Sequence, residues 1–185
     1  MTNDALRTEA WKKAFECCGT QGIFNRRLNM VRLYQTARDF LGVFVPAGVG
    51  LILTSIELST HWTKVVIYIT LPFALGQLAL SVMSLVKKWD DEGVASIQSV
   101  QANNRLRNQW ESFGKGNGQL TQQWFDQLTK ATQQQEEADL AKNVAEKERR
   151  YGMRYALREY HKECVGCGKV PVSLKPSKCD VCGNF

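Results

Sequence analysis

The chain has 185 residues, of which 23% are charged, and this length predicts one or two small domains rather than a large multidomain protein. Its formal net charge of +6 fits anionic lipid or a phosphate-bearing ligand and selects neither. We expect no cleavable signal peptide, because residues 1–18 are charged and amphipathic and the first long apolar run begins only near Phe40.

Residues 1–38 are predicted to form helices in the cytoplasm or at the membrane surface. Apolar residues recur with helical spacing at Leu6, Ala10, Trp11, Ala14, Phe15 and Cys18. Gly19 and Gly22 are expected to end this first helix. A basic second helix over 23–38 then leads into the membrane. Cys17 and its neighbour Cys18 are interpreted as small, reduced, structural residues.

Two strongly apolar segments, 40–56 and 65–86, lie within a predicted transmembrane region over 39–88. As helices they would be roughly 25 Å and 33 Å long, so the first is short for a bilayer and the second can cross with some tilt. The alternative is a buried helical hairpin of a soluble protein, which is disfavoured because the chain lacks a partner surface of matching size. The sequence therefore predicts a two-span transmembrane helical hairpin.

Cations flank the two predicted spans unevenly. They are Arg26, Arg27, Arg32 and Arg38 before the first span, and Lys87, Lys88 and Arg105 after the second. The connecting loop, 57–64, holds one lysine. By the positive-inside bias, both termini are predicted to be cytoplasmic and only the short loop to lie outside.

Polar residues of the second span share one face of the helix. They are Thr70, Gln77, Ser81 and Ser84, which a rotation of about 100° per residue brings onto one stripe. A glutamine in mid-bilayer needs a hydrogen-bonding partner or water, so this polar stripe should face protein or a pore. It is either an oligomer seam or water-lined path, or the surface that packs against the first span, whose glycines permit close approach.

Residues 89–162 are predicted to form a cytoplasmic helical hairpin. Its first helix ends at a glycine-rich turn over 114–118, and one long helix covers 120–160. Cations alternate with tyrosines at the far end of that helix. The candidate contacts to an anionic ligand there are Arg150, Arg154, Arg158 and Tyr155. The alternative is a solvated face that anchors the following segment.

Four cysteines in residues 163–185 form the strongest motif. Cys164 and Cys167 make one CxxC pair, Cys179 and Cys182 make the other, and eleven residues separate the pairs. Two-residue spacing lets both thiolates of a pair reach one tetrahedral ion, so the pattern predicts a closed Cys₄ zinc ribbon with a small β-hairpin at 170–174. A rubredoxin-like iron site is the alternative, and a reducing cytoplasm disfavours disulfides.

These residues resemble two known groups. The layout of N-terminal arm, two spans and long trailing helices resembles the SLATT-type two-transmembrane bacterial effector family. The tail pattern, CxxC, eleven residues, CxxC, resembles a mobilome protein group defined by that spacing. The SLATT resemblance implies a cytoplasmic sensor that clusters membrane hairpins and permeabilises the inner membrane during infection.

The expected fold is therefore an all-α membrane protein with a two-span hairpin, long cytoplasmic helices and a C-terminal zinc ribbon. The expected function is that of an oligomeric, pore-forming or membrane-disrupting effector in a bacterial defence or mobile-element system. Its partners would be inner-membrane lipid, further copies of itself and a protein or nucleotide trigger; nucleic acid is a less favoured partner. The alternative is a membrane scaffold whose ribbon recruits a protein or nucleic acid. No enzyme is expected, because neither histidine has an acid and a nucleophile placed near it.

Overall fold

A computed structural model describes the backbone of residues 2–55, 60–116 and 121–185, and the side chains of these residues except 49, 52–55 and 60–63. The described chain is helical, as predicted. It contains α1 (Asn3–Ser55), α2 (Thr60–Lys87), α3 (Trp89–Lys115), α4 (Gln122–Leu140) and α5 (Glu146–Glu159). The chain divides into unit 1, Met1–Arg27 with Ala95–Phe185, and unit 2, Leu28–Val94.

The core of unit 1 is built by α1, α3 and α4. Its buried members are Leu6, Ala10, Ala14, Cys17, Leu106, Trp110, Phe113, Phe125 and Leu128. Leu6, Ala10 and Ala14 confirm part of the amphipathic pattern read from the sequence, whereas Cys17 was not in that pattern. Trp110 is fully buried, and its indole Nε1 donates to Thr132 Oγ1 at 2.8 Å, so the one polar atom of this side chain keeps a partner.

The two cysteines of α1 belong to this interior. Cys17 and Cys18 are both buried. Burial raises the pKa of Cys17 to about 12 and the pKa of Cys18 to about 11, so both thiols stay protonated at neutral pH. They pack as small apolar side chains.

A buried polar network that no sequence pattern predicted joins α3 to the end of α4. The Asp139 carboxylate accepts hydrogen bonds from Ser99 Oγ at 2.6 Å and from Asn103 Nδ2 at 2.7 Å. The Lys142 ammonium lies 3.3 Å from the same carboxylate. A buried carboxylate is tolerated only with such partners, so the network fixes how α3 and α4 align.

The single long helix predicted over 120–160 is wrong, because α4 and α5 are separate helices. The Arg27 guanidinium, on α1, donates to the backbone carbonyls of Lys142 at 2.9 Å and of Asn143 at 3.1 Å. The Glu148 carboxylate accepts from Ala145 N–H at 2.8 Å and caps the start of α5. These bonds satisfy backbone groups that a continuous helix would have used itself.

Glu148 makes the stability of unit 1 depend on pH. Burial opposes ionisation, but hydrogen bonds from Arg27, at 2.6 Å to each carboxylate oxygen, and from Ala145 N–H outweigh it and hold the pKa of Glu148 below 4.5. A lowered folded-state pKa stabilises the protein above the unfolded value, and the contribution is lost as the pH falls through the folded value. We expect Glu148→Gln to lower the free energy of unfolding at pH 7 by about 1–3 kcal/mol.

Denaturation of the full chain in mild detergent at several pH values measures this effect. The difference between the variant and the original protein should shrink below pH 4.5. Glu146→Gln is the matched control, because that side chain is 67% exposed and its pair with Arg150 is long at 3.5 Å, so it should change stability by less than about 0.5 kcal/mol. A pH-independent difference at Glu148 would contradict the prediction.

Helix α1 does not end at Gly19 or Gly22, contrary to the prediction. Instead α1 and α5 approach closely at these glycines. A Cβ on Gly19 would lie 3.2 Å from the carbonyl oxygen of Gly152, and a Cβ on Gly22 would lie 2.5 Å from Tyr155 Cγ. A side chain at Gly22 would overlap Tyr155 and one at Gly19 would crowd the Gly152 carbonyl, so the glycines permit this close approach of α1 and α5.

In unit 2, the part of α2 over Lys64–Lys87 is long and apolar enough to cross a membrane, and it is the one such helix in the described residues. Between residues 64 and 87, only Val66 and Ser84 are buried. The first predicted span is helical over 40–55 as the end of α1, and its last residue lies outside the described residues, as does most of the predicted loop. The two-span hairpin stays a prediction.

Candidate metal centre

The four predicted cysteine ligands come together in the tail that follows α5. Their sulfur atoms all lie within 4.8 Å of one another. Cys164 Sγ is 3.9 Å from Cys179 Sγ, and Cys167 Sγ is 4.0 Å from Cys182 Sγ. Zn–S bonds of about 2.3 Å place the sulfurs of a tetrahedral site about 3.8 Å apart. The cluster therefore has the dimensions of a Cys₄ metal site, and its sulfurs are too far apart for disulfides.

The first CxxC pair is held in a tight turn. Gly168 N–H donates to the Cys164 carbonyl at 2.7 Å, and Gly166 N–H points at Cys164 Sγ at 3.4 Å. Gly168 has φ +63°, the left-handed conformation that glycine adopts without strain. A residue with a side chain would be strained at this position, so the turn after the first pair favours glycine.

The second pair uses its glycine differently. Gly183 N–H and Asn184 N–H donate to the Cys179 carbonyl at 2.8 and 2.9 Å. Gly183 is not among the glycines with positive φ, but a Cβ there would overlap Ser177. Close backbone packing, rather than backbone conformation, therefore requires glycine at this position.

No β-hairpin forms in the tail, contrary to the prediction. Residues 163–185 contain turns and bends but no strand. The carbonyl of Ser173, inside the predicted hairpin, accepts from Arg154 Nε at 2.7 Å. Arg154 Nη1 also reaches the Cys182 carbonyl at 3.4 Å. Arg154 of α5 therefore donates hydrogen bonds to backbone carbonyls that the neighbouring strand of a hairpin would otherwise have bonded.

Apolar and aromatic contacts attach the same tail to the helices of unit 1. Cys164 and Cys182 are buried against Leu157 of α5, with Phe15 of α1 packed beside them. At the tail's end, Phe185 meets Tyr151 edge-on with ring centres 5.4 Å apart. The metal centre is therefore part of the packing of unit 1 rather than a separate appendage.

The cysteine environments differ in how easily each thiol ionises. Backbone N–H groups of Cys182 and Val181 lower the pKa of Cys179 to about 7. Burial raises the pKa of Cys182 to about 12. A metal ion that binds all four as thiolates must therefore displace protons, so its affinity will fall as the solution becomes more acidic.

The chemistry of this donor set is that of a closed structural site. Four thiolates fill a tetrahedron and suit Zn²⁺ or a single iron ion. With four protein ligands, no coordination position is left for substrate or water. His161, three residues before Cys164, is not among the grouped ligands.

The four predicted ligand contacts on α5 do not form one site. Arg154 is buried against the tail, and Arg150 donates to a tail carbonyl at 3.3 Å. Arg158 instead pairs with Glu159 at 2.7 Å and lies over the ring of Tyr155 at 5.7 Å. Arg154 and Arg150 therefore hold the tail. The alternation of cations and tyrosines in the sequence did not reveal this role. An anionic ligand here stays a prediction.

The polar stripe of α2 lies in unit 2. Its members are Thr70, Gln77, Ser81 and Ser84. The Ser84 hydroxyl accepts from Arg38 Nη1 of α1 at 2.6 Å. A Cβ on Gly42 of α1 would lie 3.5 Å from Gln77 Nε2, and Thr70 Oγ1 donates to a carbonyl of its own helix. Part of the stripe therefore faces α1 within the chain.

Comparison with known proteins finds a match to a family model. A family model described as mobilome CxxCx(11)CxxC protein matches residues 7–185, so the match covers the helices as well as the four cysteines. Searches of curated proteins and of solved structures find no match to the chain.

Proposed function

The chain belongs to the mobilome CxxCx(11)CxxC protein family, and we propose that it is a two-span membrane effector of a mobile-element or defence system, with the SLATT-type layout. The hairpin over 39–88 lies in the bacterial inner membrane with both termini in the cytoplasm. Copies of the hairpin associate and disrupt the bilayer in response to a protein or nucleotide trigger. The protein has no enzymatic activity, and Zn²⁺ in the Cys₄ centre stabilises unit 1.

The observation that carries this proposal is the exposure of α2. Eleven large apolar side chains between Ile67 and Val86 are exposed. A core helix of a soluble protein would bury such side chains, and a continuous apolar surface of this size is unfavourable in water. Lipid is the solvent that matches it.

Induction of the full chain in bacterial cells tests membrane disruption. We expect loss of membrane potential and uptake of an excluded dye, together with retention of the protein in alkali-washed membranes. Gln77→Leu should reduce dye uptake at least tenfold without reducing membrane insertion, because it removes the only amide in the apolar part of α2. Leu78→Ile, on the exposed apolar surface, is the control and should behave like the original protein.

An inserted protein that leaves the membrane potential unchanged would contradict the disruptive step. A protein extracted by alkali would contradict membrane insertion itself. Mass measurement in mild detergent, with metal analysis, tests the oligomer and Zn²⁺ together.

The second candidate is a membrane scaffold that makes no pore. The inward placement of Gln77 and Ser84, beside Gly42 and Arg38 of α1, favours it because less polar surface remains to line a channel. In this case the hairpin is an anchor and unit 1 recruits a protein or, less favourably, a nucleic acid. Capture of the same partner by the original protein and by Gln77→Leu, with no leakage from either, would support the scaffold.

A further inference from the structure

We propose that unit 2 binds the phosphoethanolamine headgroup of a membrane lipid where α2 ends and α3 begins. A cavity of about 390 Å³ is present there, lined by side chains of both charges. The lining includes Arg38, Ser84, Leu85, Lys88, Asp90 and Asp91. The inference rests on the proposed function only in placing unit 2 in a bilayer.

The position of the cavity matches the depth of lipid headgroups. Leu85 is 80% exposed at the end of the apolar part of α2, and the chain becomes charged from Lys87 onward. Charged side chains directly after an apolar span lie at the level of the headgroups. An acyl chain beside Leu85 would therefore bring its headgroup to the charged side of the cavity.

The cavity offers two cations to a phosphate. Arg38 is held in place by Asp39, 2.9 Å from its Nε, and by the hydroxyl of Ser84. Lys88 occupies the junction between α2 and α3 with φ +49°, and no ion pair engages its ammonium within the described residues. A fixed guanidinium and an available ammonium together suit a phosphodiester.

The same cavity also contains carboxylates, and their negative charge selects the class of lipid headgroup that can bind. Asp90 accepts from Gln35 Nε2 at 2.7 Å and lies 3.4 Å from Arg38 Nη1. Asp91 is exposed, and it has no ion-pair partner in the part of the chain that the structure describes. These carboxylates repel a purely anionic headgroup and attract an ammonium group that donates N–H bonds. A zwitterionic headgroup with a phosphate and a primary ammonium can pair with both the cations and the carboxylates of the cavity.

Native mass spectrometry of the full chain in mild detergent can test this headgroup preference. The probe is an equimolar mixture of phosphatidylethanolamine, phosphatidylcholine and phosphatidylglycerol with identical acyl chains. We expect phosphatidylethanolamine to be bound roughly threefold to fivefold over each of the others, the size of one partly exposed charge pair. The quaternary ammonium of phosphatidylcholine cannot donate a hydrogen bond, and phosphatidylglycerol has no cation.

Substitutions of exposed residues test separately the cation that would bind the phosphate and the carboxylate that would bind the ammonium. Lys88→Gln and Asp91→Asn should each remove the preference, and Asp91→Asn should also increase binding of phosphatidylglycerol. Lys87→Gln makes the same charge change one residue away, outside the cavity lining, and should keep the preference. Inorganic phosphate, which lacks the ammonium, should not displace the lipid.

Equal binding of the three lipids, an unchanged preference in both cavity variants, or displacement by inorganic phosphate would each overturn the inference. A separate alkali wash distinguishes this failure from failure of the proposed function. If the protein is embedded in the membrane but shows no headgroup preference, the headgroup site alone is wrong. If the protein is washed off, the membrane placement is wrong as well.

Discussion

Replacing Cys164 with serine is expected to abolish stoichiometric metal binding and to release the tail from α1 and α5. Cys164 is buried, and its sulfur lies 3.9 Å from that of Cys179, so the substitution leaves three thiolates and puts a hydroxyl, a poor ligand for Zn²⁺, in a buried position. Apparent binding free energies of structural zinc sites are about 10–16 kcal/mol. This substitution should therefore destabilise unit 1 more than any single core substitution would.

Metal content and hydrogen exchange measure the two parts of this result. The variant should hold less than about a tenth of the original metal, since a structural site needs its full set of ligands. The amide hydrogens of Gly168, Gly183 and Asn184, which bond to cysteine carbonyls, should lose their protection. Removing the metal from the original protein with a chelator should expose the same amides.

A second buried cysteine provides the control for this experiment. Cys17→Ala removes a thiol from α1 without touching the centre, so metal content should stay unchanged even if stability falls. A Cys164→Ser protein that retained one metal ion per chain and a protected tail would show that the four sulfurs do not form the site.

The clustering of the four cysteines could be predicted because the residues that produce it are close together in the sequence. CxxC spacing brings two thiolates together in one turn wherever the turn lies, and the glycine after the first pair adopts positive φ within that turn. The β-hairpin was wrong because the partner for Ser173 comes from Arg154, nineteen residues earlier in the chain. A β-prone segment favours a strand only weakly, and here tertiary hydrogen bonds outweigh that preference.

The helices show the same division between local and distant information. Apolar spacing in α1 correctly identified Ala10 and Ala14 as buried. The break between α4 and α5 depends on Arg27, which lies 115 residues before Lys142. No pattern within the segment itself could reveal that partner. The polar stripe of α2 could be predicted from the helical spacing of its residues. The α1 residues that it contacts could not be predicted in this way.

Replacing Gly152 with valine is expected to destabilise unit 1 by about 3 kcal/mol, at the upper end of the usual cost of overpacking. A Cβ on Gly152 would lie 2.7 Å from the carbonyl oxygen of Gly19 and 2.8 Å from Ile23 Cγ1. The carbonyl oxygen is backbone, so it cannot move aside unless α1 and α5 separate. Intrinsic helix propensity acts weakly in the opposite direction, because valine is more favourable than glycine within a helix by a few tenths of a kcal/mol.

The sign of the stability change in Gly152→Val therefore shows which effect is larger where α1 and α5 meet. A loss of stability means that packing is larger, and a gain means that helix propensity is larger. Thermal denaturation in mild detergent, followed by tryptophan fluorescence, should show Tm lowered by roughly 6–12 °C. Gly48→Val makes the same chemical change in α1 where no atom of the described residues lies within 4 Å of the added Cβ, so it should leave Tm unchanged or slightly higher. If Gly152→Val matched this control, α1 and α5 would not approach at the glycines, and the two glycines of α1 would again need the local explanation that the sequence first favoured.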